Sequence, residues 1–261
     1  MSDLTRFGDE ERALAERIMS RRTALNDAGR LGASLLAVAA IPTLFRGRSG
    51  SLLAQEALTE QEMATLNFAL TLEYLEAAFY EQGLAAAGLV PDEDRDVIGI
   101  IGQHEDAHVA LLAGVLGDDA VAEPVFDFTA GGSFADVFTN YETFLALAQG
   151  FEDTGVRAYK GQAGNLQSSG SLLTTALQIH SVEGRHAAMV RRMRGQKGWI
   201  VGAETDVAAL EAVYAGEGNT THLGVDATTT TEVPDEQVGE AFDEPLTEEE
   251  VLAIAGPFIV A

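Results

Sequence analysis

Four long stretches of the chain carry apolar residues at intervals of three and four, the spacing that gives an α-helix one buried face. The first opens at Thr59-x-x-Glu62, the pattern of a reciprocal N-terminal cap, and runs to about Gly83. Its stripe is Leu66, Ala69, Leu70, Glu73, Ala77, Tyr80 and Leu84. The second has Pro91 and acidic residues in its first turn, continues through Ile98, Ile101, Glu105, His108, Leu112 and Val115, and stops at Gly117. After a longer connection the pattern predicts a third helix capped by Ser133. It would carry Phe134, Phe138, Tyr141, Leu145, Ala148, Glu152 and Tyr159 on one face and end near Ala163. The fourth spans roughly residues 171–195 through Leu173, Leu177, His180, Glu183, His186 and Val190, with Arg191, Arg192 and Arg194 in its last turn. Each helix would be about 37 Å long at 1.5 Å per residue. Joined short, long, short, they predict an all-α four-helix bundle over residues 51–198.

The flanks read differently. Residues 1–50 are a charged, helical segment in which Arg21-Arg22 precedes an apolar run from Leu31 to Leu44. This resembles a twin-arginine export signal, which would place the protein in the periplasm or outside the cell. The alternative is an N-terminal helix that stays on the domain in a cytoplasmic protein. The run is too short for a membrane span, so no integral span is expected. Residues 199–261 form an acidic, largely irregular extension, with short helices expected at 206–214 and 248–255 and an exposed or mobile stretch over 217–245. Trp199 reads as a packing residue and His222 is assigned nothing.

The four predicted stripes contain residues that do not belong in an apolar core. Glu73, Glu105, Glu152 and Glu183 all fall among Leu, Ile, Ala and Phe. A buried, unpaired carboxylate is very costly, and four together repel one another unless they are protonated or neutralised. Their spacing repeats. Glu105-x-x-His108 returns as Glu183-x-x-His186, each pair one turn of helix wide. Glu73 precedes the first pair by 32 residues and Glu152 the second by 31, and a tyrosine follows each lone glutamate after seven residues, Tyr80 and Tyr159. A single Glu-x-x-His is commonly a solvated helix face; the doubled pattern is not. Two divalent cations would balance four carboxylates, and two imidazoles would add neutral nitrogen ligands. Oxygen and imidazole donors without thiolate suit two iron or two manganese ions, with zinc also accommodated.

With these residues in place, the chain resembles the ferritin-like superfamily, and within it the bacterial ferritin-like, desiccation-related proteins. The stretch that carries the likeness is Leu66–Tyr80, Leu-Asn-Phe-Ala-Leu-Thr-Leu-Glu-Tyr-Leu-Glu-Ala-Ala-Phe-Tyr, together with the doubled motif over about residues 58–195. The resemblance implies Glu73 and Glu152 as terminal metal ligands, Glu105 and Glu183 as bridging ligands, and His108 and His186 on one metal each. It implies Tyr80 and Tyr159 as donors to carboxylates near the reacting oxygen, hence as catalytic candidates. Glu76, one turn after Glu73, has Gly155 at the equivalent place in the second half; it is either an extra carboxylate ligand or a residue at the bundle edge. His104 and His180 read as hydrogen-bonding or surface histidines rather than ligands.

Charge and composition narrow the function. The 261 residues carry 41 acidic against 16 basic side chains, a net charge of −25. Such a field disfavours nucleic acid and anionic membranes as partners. It attracts cations, and it equally suits adaptation to high salt. There is no cysteine, which excludes disulfides, thiolate metal sites and a rubredoxin-type electron-transfer module. The resemblance implies redox chemistry on peroxide or dioxygen, rubrerythrin-like or manganese-catalase-like, in oxidative or desiccation stress; the absence of cysteine leaves disproportionation or an external donor. Two other readings stand beside it: iron binding or storage, and a structural stress protein whose metals staple the bundle. A homo-oligomer is compatible with each.

Overall fold

The computed structural model describes residues 58–260. The four long helices among them are α1 (Glu60–Ala85), α2 (Asp92–Leu116), α3 (Tyr141–Gln162) and α4 (Gly170–Met193). Thr59 and Glu62 form the expected capping box: the Glu62 amide donates to the Thr59 hydroxyl and the Thr59 amide to the Glu62 carboxylate. Pro91 precedes the first turn of α2, which holds Asp92, Glu93 and Asp94. Gly117 closes that helix at φ +59°, a conformation that favours glycine.

Helix α1 packs along α2, α3 along α4, and α1 faces α3. Two apolar layers fill the interior. One, built around Phe79, Phe144 and Phe151, takes the late part of α1 but the early parts of α2 and α3. The other, around Leu70, Leu112 and Ile179, takes the early part of α1 but the late part of α2. Helices α2 and α3 therefore run in the same direction. That is why the connection over residues 117–140 is long: it must return the length of the bundle.

The third helix is shorter than its pattern predicts. It begins at Tyr141, capped by the Asn140 side chain, and Ser133 caps nothing. Residues 128–139 are turns instead. Asp127 accepts from the amides of Thr129 and Gly131, and Ala130, Gly131 and Gly132 all have positive φ. Phe134 and Val137 are buried, but Phe134 packs against Phe258, with ring centroids 5.9 Å apart. Helical spacing arose there because a remote segment needed apolar contacts, not because the segment is helical.

The C-terminal extension is more structured than a mobile tail. It contains a 3-10 helix (Ala208–Tyr214), a two-stranded hairpin of β1 (Thr221–His222) and β2 (Val225–Asp226), and the helices α5 (Asp235–Val238) and α6 (Glu248–Ala255). Leu210, Tyr214, Leu246, Val251 and Phe258 enter the core, so from Phe144 to Tyr159 every residue of α3 is buried. Trp199 does not pack inside. It is 46% exposed and donates its indole N–H to Glu240.

The extension lies against the α3 backbone itself. A Cβ on Gly161 would stand 1.9 Å from the Leu246 carbonyl oxygen, while the Leu246 amide donates to the Arg157 carbonyl. Gly161→Ala should therefore lower the melting temperature and expose the chain near Leu246 to limited proteolysis. Gly99→Ala, in α2 with open space at its Cβ, should instead stabilise by up to about 1 kcal/mol. Equal effects of the two in thermal melts would contradict this packing.

Candidate metal centre

Midway between the two apolar layers each helix turns at least one carboxylate inward. Glu73 comes from α1, Glu105 from α2, Glu152 from α3 and Glu183 from α4, and all four are fully buried. His108 and His186, one turn after Glu105 and Glu183, are buried beside them. The six sequence-predicted residues thus converge, in two overlapping groups. Donor atoms of Glu73, Glu105, His108 and Glu183 lie within 4.8 Å of one another, as do those of Glu105, Glu152, Glu183 and His186. Glu105 and Glu183 belong to both.

Nδ1 of His108 is 3.1 Å from Glu73, 3.0 Å from Glu105 and 3.3 Å from Glu183. One ring nitrogen cannot satisfy three carboxylates by hydrogen bonding. Nδ1 of His186 is 2.7 Å from Glu105 and 3.3 Å from Glu152, yet it is a buried atom without a hydrogen-bond partner. One oxygen each of Glu105 and Glu152 and both oxygens of Glu183 are orphaned in the same way. Buried polar atoms are nearly always satisfied. Here they aim at shared space instead of at one another, which is how the donors of a cation site are arranged.

The tyrosines cross over. Tyr80, on the helix of Glu73, donates its hydroxyl to Glu152; Tyr159, on the helix of Glu152, donates to Glu73. Burial first, and then the carboxylate each one touches, push both phenols well above their ordinary pKa, so they remain donors.

Glu76 was the open case in the sequence, and it is in the core, not at the edge. It is 2% exposed, and burial followed by the charge of Glu183 pushes its carboxyl well above the ordinary range. Gly155 makes the room: a Cβ there would sit 3.2 Å from Glu76 and 3.1 Å from Glu183. The signal was present in the sequence as a glutamate whose twin position is glycine. His104 is exposed, with its Nδ1 2.9 Å from Nε2 of His186. His180 lies away from both groups, and burial lowers its pKa.

Without a metal, protons take the place of cations. Burial opposes charge on both imidazoles, but the surrounding carboxylates outweigh it and raise His108 to about 12 and His186 to about 10. Burial would raise Glu105, yet the two imidazoles hold it at about 2; Glu73 is pushed up to about 7, chiefly by burial. Each raised pKa means stability lost as pH rises through it. Glu73 acts between its ordinary 4.5 and about 7, and the histidines act from about 6.5 upward. The depressed Glu105 acts oppositely, but only below 4.5. Protein kept in chelator should therefore lose melting temperature steadily from pH 5 to pH 8, and Glu73→Gln should flatten the lower part of that fall. A melting temperature that rises over this range would contradict the assignment.

A helical bundle with a buried glutamate–histidine cluster at mid-height defines a class, the carboxylate-rich bundles suited to metal binding. A family model described as the ferritin-like domain matches residues 61–196, more than half of the chain, and the protein belongs to that family. No curated protein matches it.

Proposed function

We propose that the cluster holds two divalent metal ions, iron or manganese, and that the protein reduces or disproportionates a small oxidant, peroxide or dioxygen. The observation that carries this reading is the sharing of Glu105 and Glu183 between two four-residue groups. Glu73 and His108 would complete one position, Glu152 and His186 the other. Bound there, the metal pair would exchange electrons with the oxidant.

The chain's own residues do the rest. Tyr80 and Tyr159 hold the terminal carboxylates in place and keep a proton within reach of each. The apolar layers above and below exclude bulk water, which strengthens every charge interaction inside. A surface groove between α2 and α4 reaches the cluster from one side, with His104, His108 and His186 among its lining and Ile100, Arg185 and Met189 at its rim. It suits a small, uncharged oxidant better than a bulky substrate. With no cysteine in the chain, electrons must come from the peroxide itself or from an external donor.

Protein purified without added metal, and then loaded with iron or manganese, should contain two ions per chain and consume peroxide. Two ions without turnover under several donors would favour the storage or metal-stapled reading. No bound ion, with equal stability in chelator, would overturn the metal reading. Among the described residues no helix is long and apolar enough to cross a membrane. The twin-arginine-like stretch lies outside the described residues, and export through it remains part of the proposal.

A further inference from the structure

The two halves of the centre are related by an internal repeat, and one departure from the repeat puts a hydrogen-bonding ring against only one half. The 78-residue offset that carries Glu105 onto Glu183 and His108 onto His186 carries His104 onto Val182. Nδ1 of His104 lies 2.9 Å from Nε2 of His186, and the two ring planes are 15° apart with centroids 5.2 Å apart, so the rings meet edge to edge. His186 therefore has one nitrogen for the carboxylates and one for His104. Val182, which shares the groove with His108, offers no hydrogen-bonding group. Another break, Glu76 opposite Gly155, places its carboxyl beside Glu183, which belongs to both halves, so it does not by itself separate them.

We infer that His104 is a positioning residue for His186 and makes the two metal positions unequal, the His186 position being the tighter. This rests on the two-metal reading above. A ligating imidazole is held in one tautomer and one orientation by an acceptor for its other N–H, and that acceptor also makes the ligand more basic. With a metal bound, Nε2 of His186 would donate to Nδ1 of His104, and the lone pair of His186 Nδ1 would face the space it shares with Glu105 and Glu152. His104 then keeps its own proton on Nε2. His108 receives no such support from Val182, so its ring is oriented by its contacts with the cluster alone.

The test is a cobalt(II) titration of the full chain after metal removal, followed by the visible absorption of the bound ion and by calorimetry. Wild type should bind in two steps of unequal affinity. His104→Phe keeps the ring volume and removes the acceptor, and it should weaken the tighter step by roughly 10- to 100-fold while leaving the other unchanged. His104→Asn places an amide oxygen near the position of Nδ1 and should recover most of that loss. A His104→Phe titration identical to wild type would overturn the inference. So would equal weakening of both steps, or an Asn variant as impaired as the Phe variant, because each of these is the mark of a merely structural role. Failure of the wild type to bind cobalt at all would instead remove the two-metal reading itself.

Discussion

Glu183→Gln should reverse the sign of its effect on stability when metal is added. In chelator at pH 8 the variant should melt at or above the wild-type temperature. Glu183 is fully buried; burial pushes its carboxyl well above the ordinary range, and the charges of Glu105 and Glu73 add to that. An amide of the same shape relieves that repulsion. With saturating iron(II) or manganese(II) the order should invert. A ligand at a thousandfold excess over its Kd contributes about 4 kcal/mol per site. For a domain of this size that is roughly 8–16 °C per site. Glu183 belongs to both four-residue groups, so the variant should forfeit most of the gain at both. Glu73→Gln and Glu152→Gln each touch one group and should forfeit about half. Thermal melts of the four proteins with and without metal decide this. A Glu183→Gln protein that gains as much from metal as wild type would show that Glu183 is not a shared ligand.

Arg157→Ala should be the most destabilising change outside the centre. Arg157 is 1% exposed, on the outer face of α3. Its guanidinium donates to the carbonyls of Val213, Ala215 and Glu244 and lies 2.8 Å from the carboxylate of Glu217. Removing it strands three carbonyls and a buried carboxylate. Breaking one partner of a buried ion pair costs about 3–5 kcal/mol. The cost should also grow with pH. Glu217 is already held up at about 7 by burial, even with Arg157 pulling it down; alone it must stay protonated to remain inside. A raised folded-state pKa means stability lost as pH rises. Urea denaturation at pH 6 and pH 8 should show the larger deficit at pH 8, and Arg157→Met with Glu217→Leu should recover part of it. A deficit below about 1 kcal/mol at both pH values would mean that the extension is not anchored through this pair.

Much of this protein was legible from spacing alone. The helix boundaries at Thr59, Pro91 and Gly117 follow from local capping chemistry, and the eight-residue helix at Glu248–Ala255 stands where the sequence reading put it. The convergence of Glu73, Glu105, His108, Glu152, Glu183 and His186 was also legible, because a carboxylate on an apolar stripe has nowhere to point but inward. These are signals written within one or two turns of helix. Where they misled, at Ser133, the apolar spacing was real but served a remote partner, Phe258.

What only the tertiary structure decided is the pairing of polar groups across distant segments. The crossed bonds Tyr80–Glu152 and Tyr159–Glu73 span 72 and 86 residues. The His104–His186 contact spans 82. Gln149, Asp153 and Arg157 recur every four residues on one face of α3, a pattern that by itself describes a face turned to water. They are buried because Tyr214 donates to Asp153, Arg191 pairs with the same carboxylate, and Glu217 meets Arg157. Helical periodicity records that a position is inside or outside one helix, and it is set by neighbours three and four residues away. The partner of a buried charge is set by whichever remote segment brings a matching group to that face, and no local spacing encodes that choice.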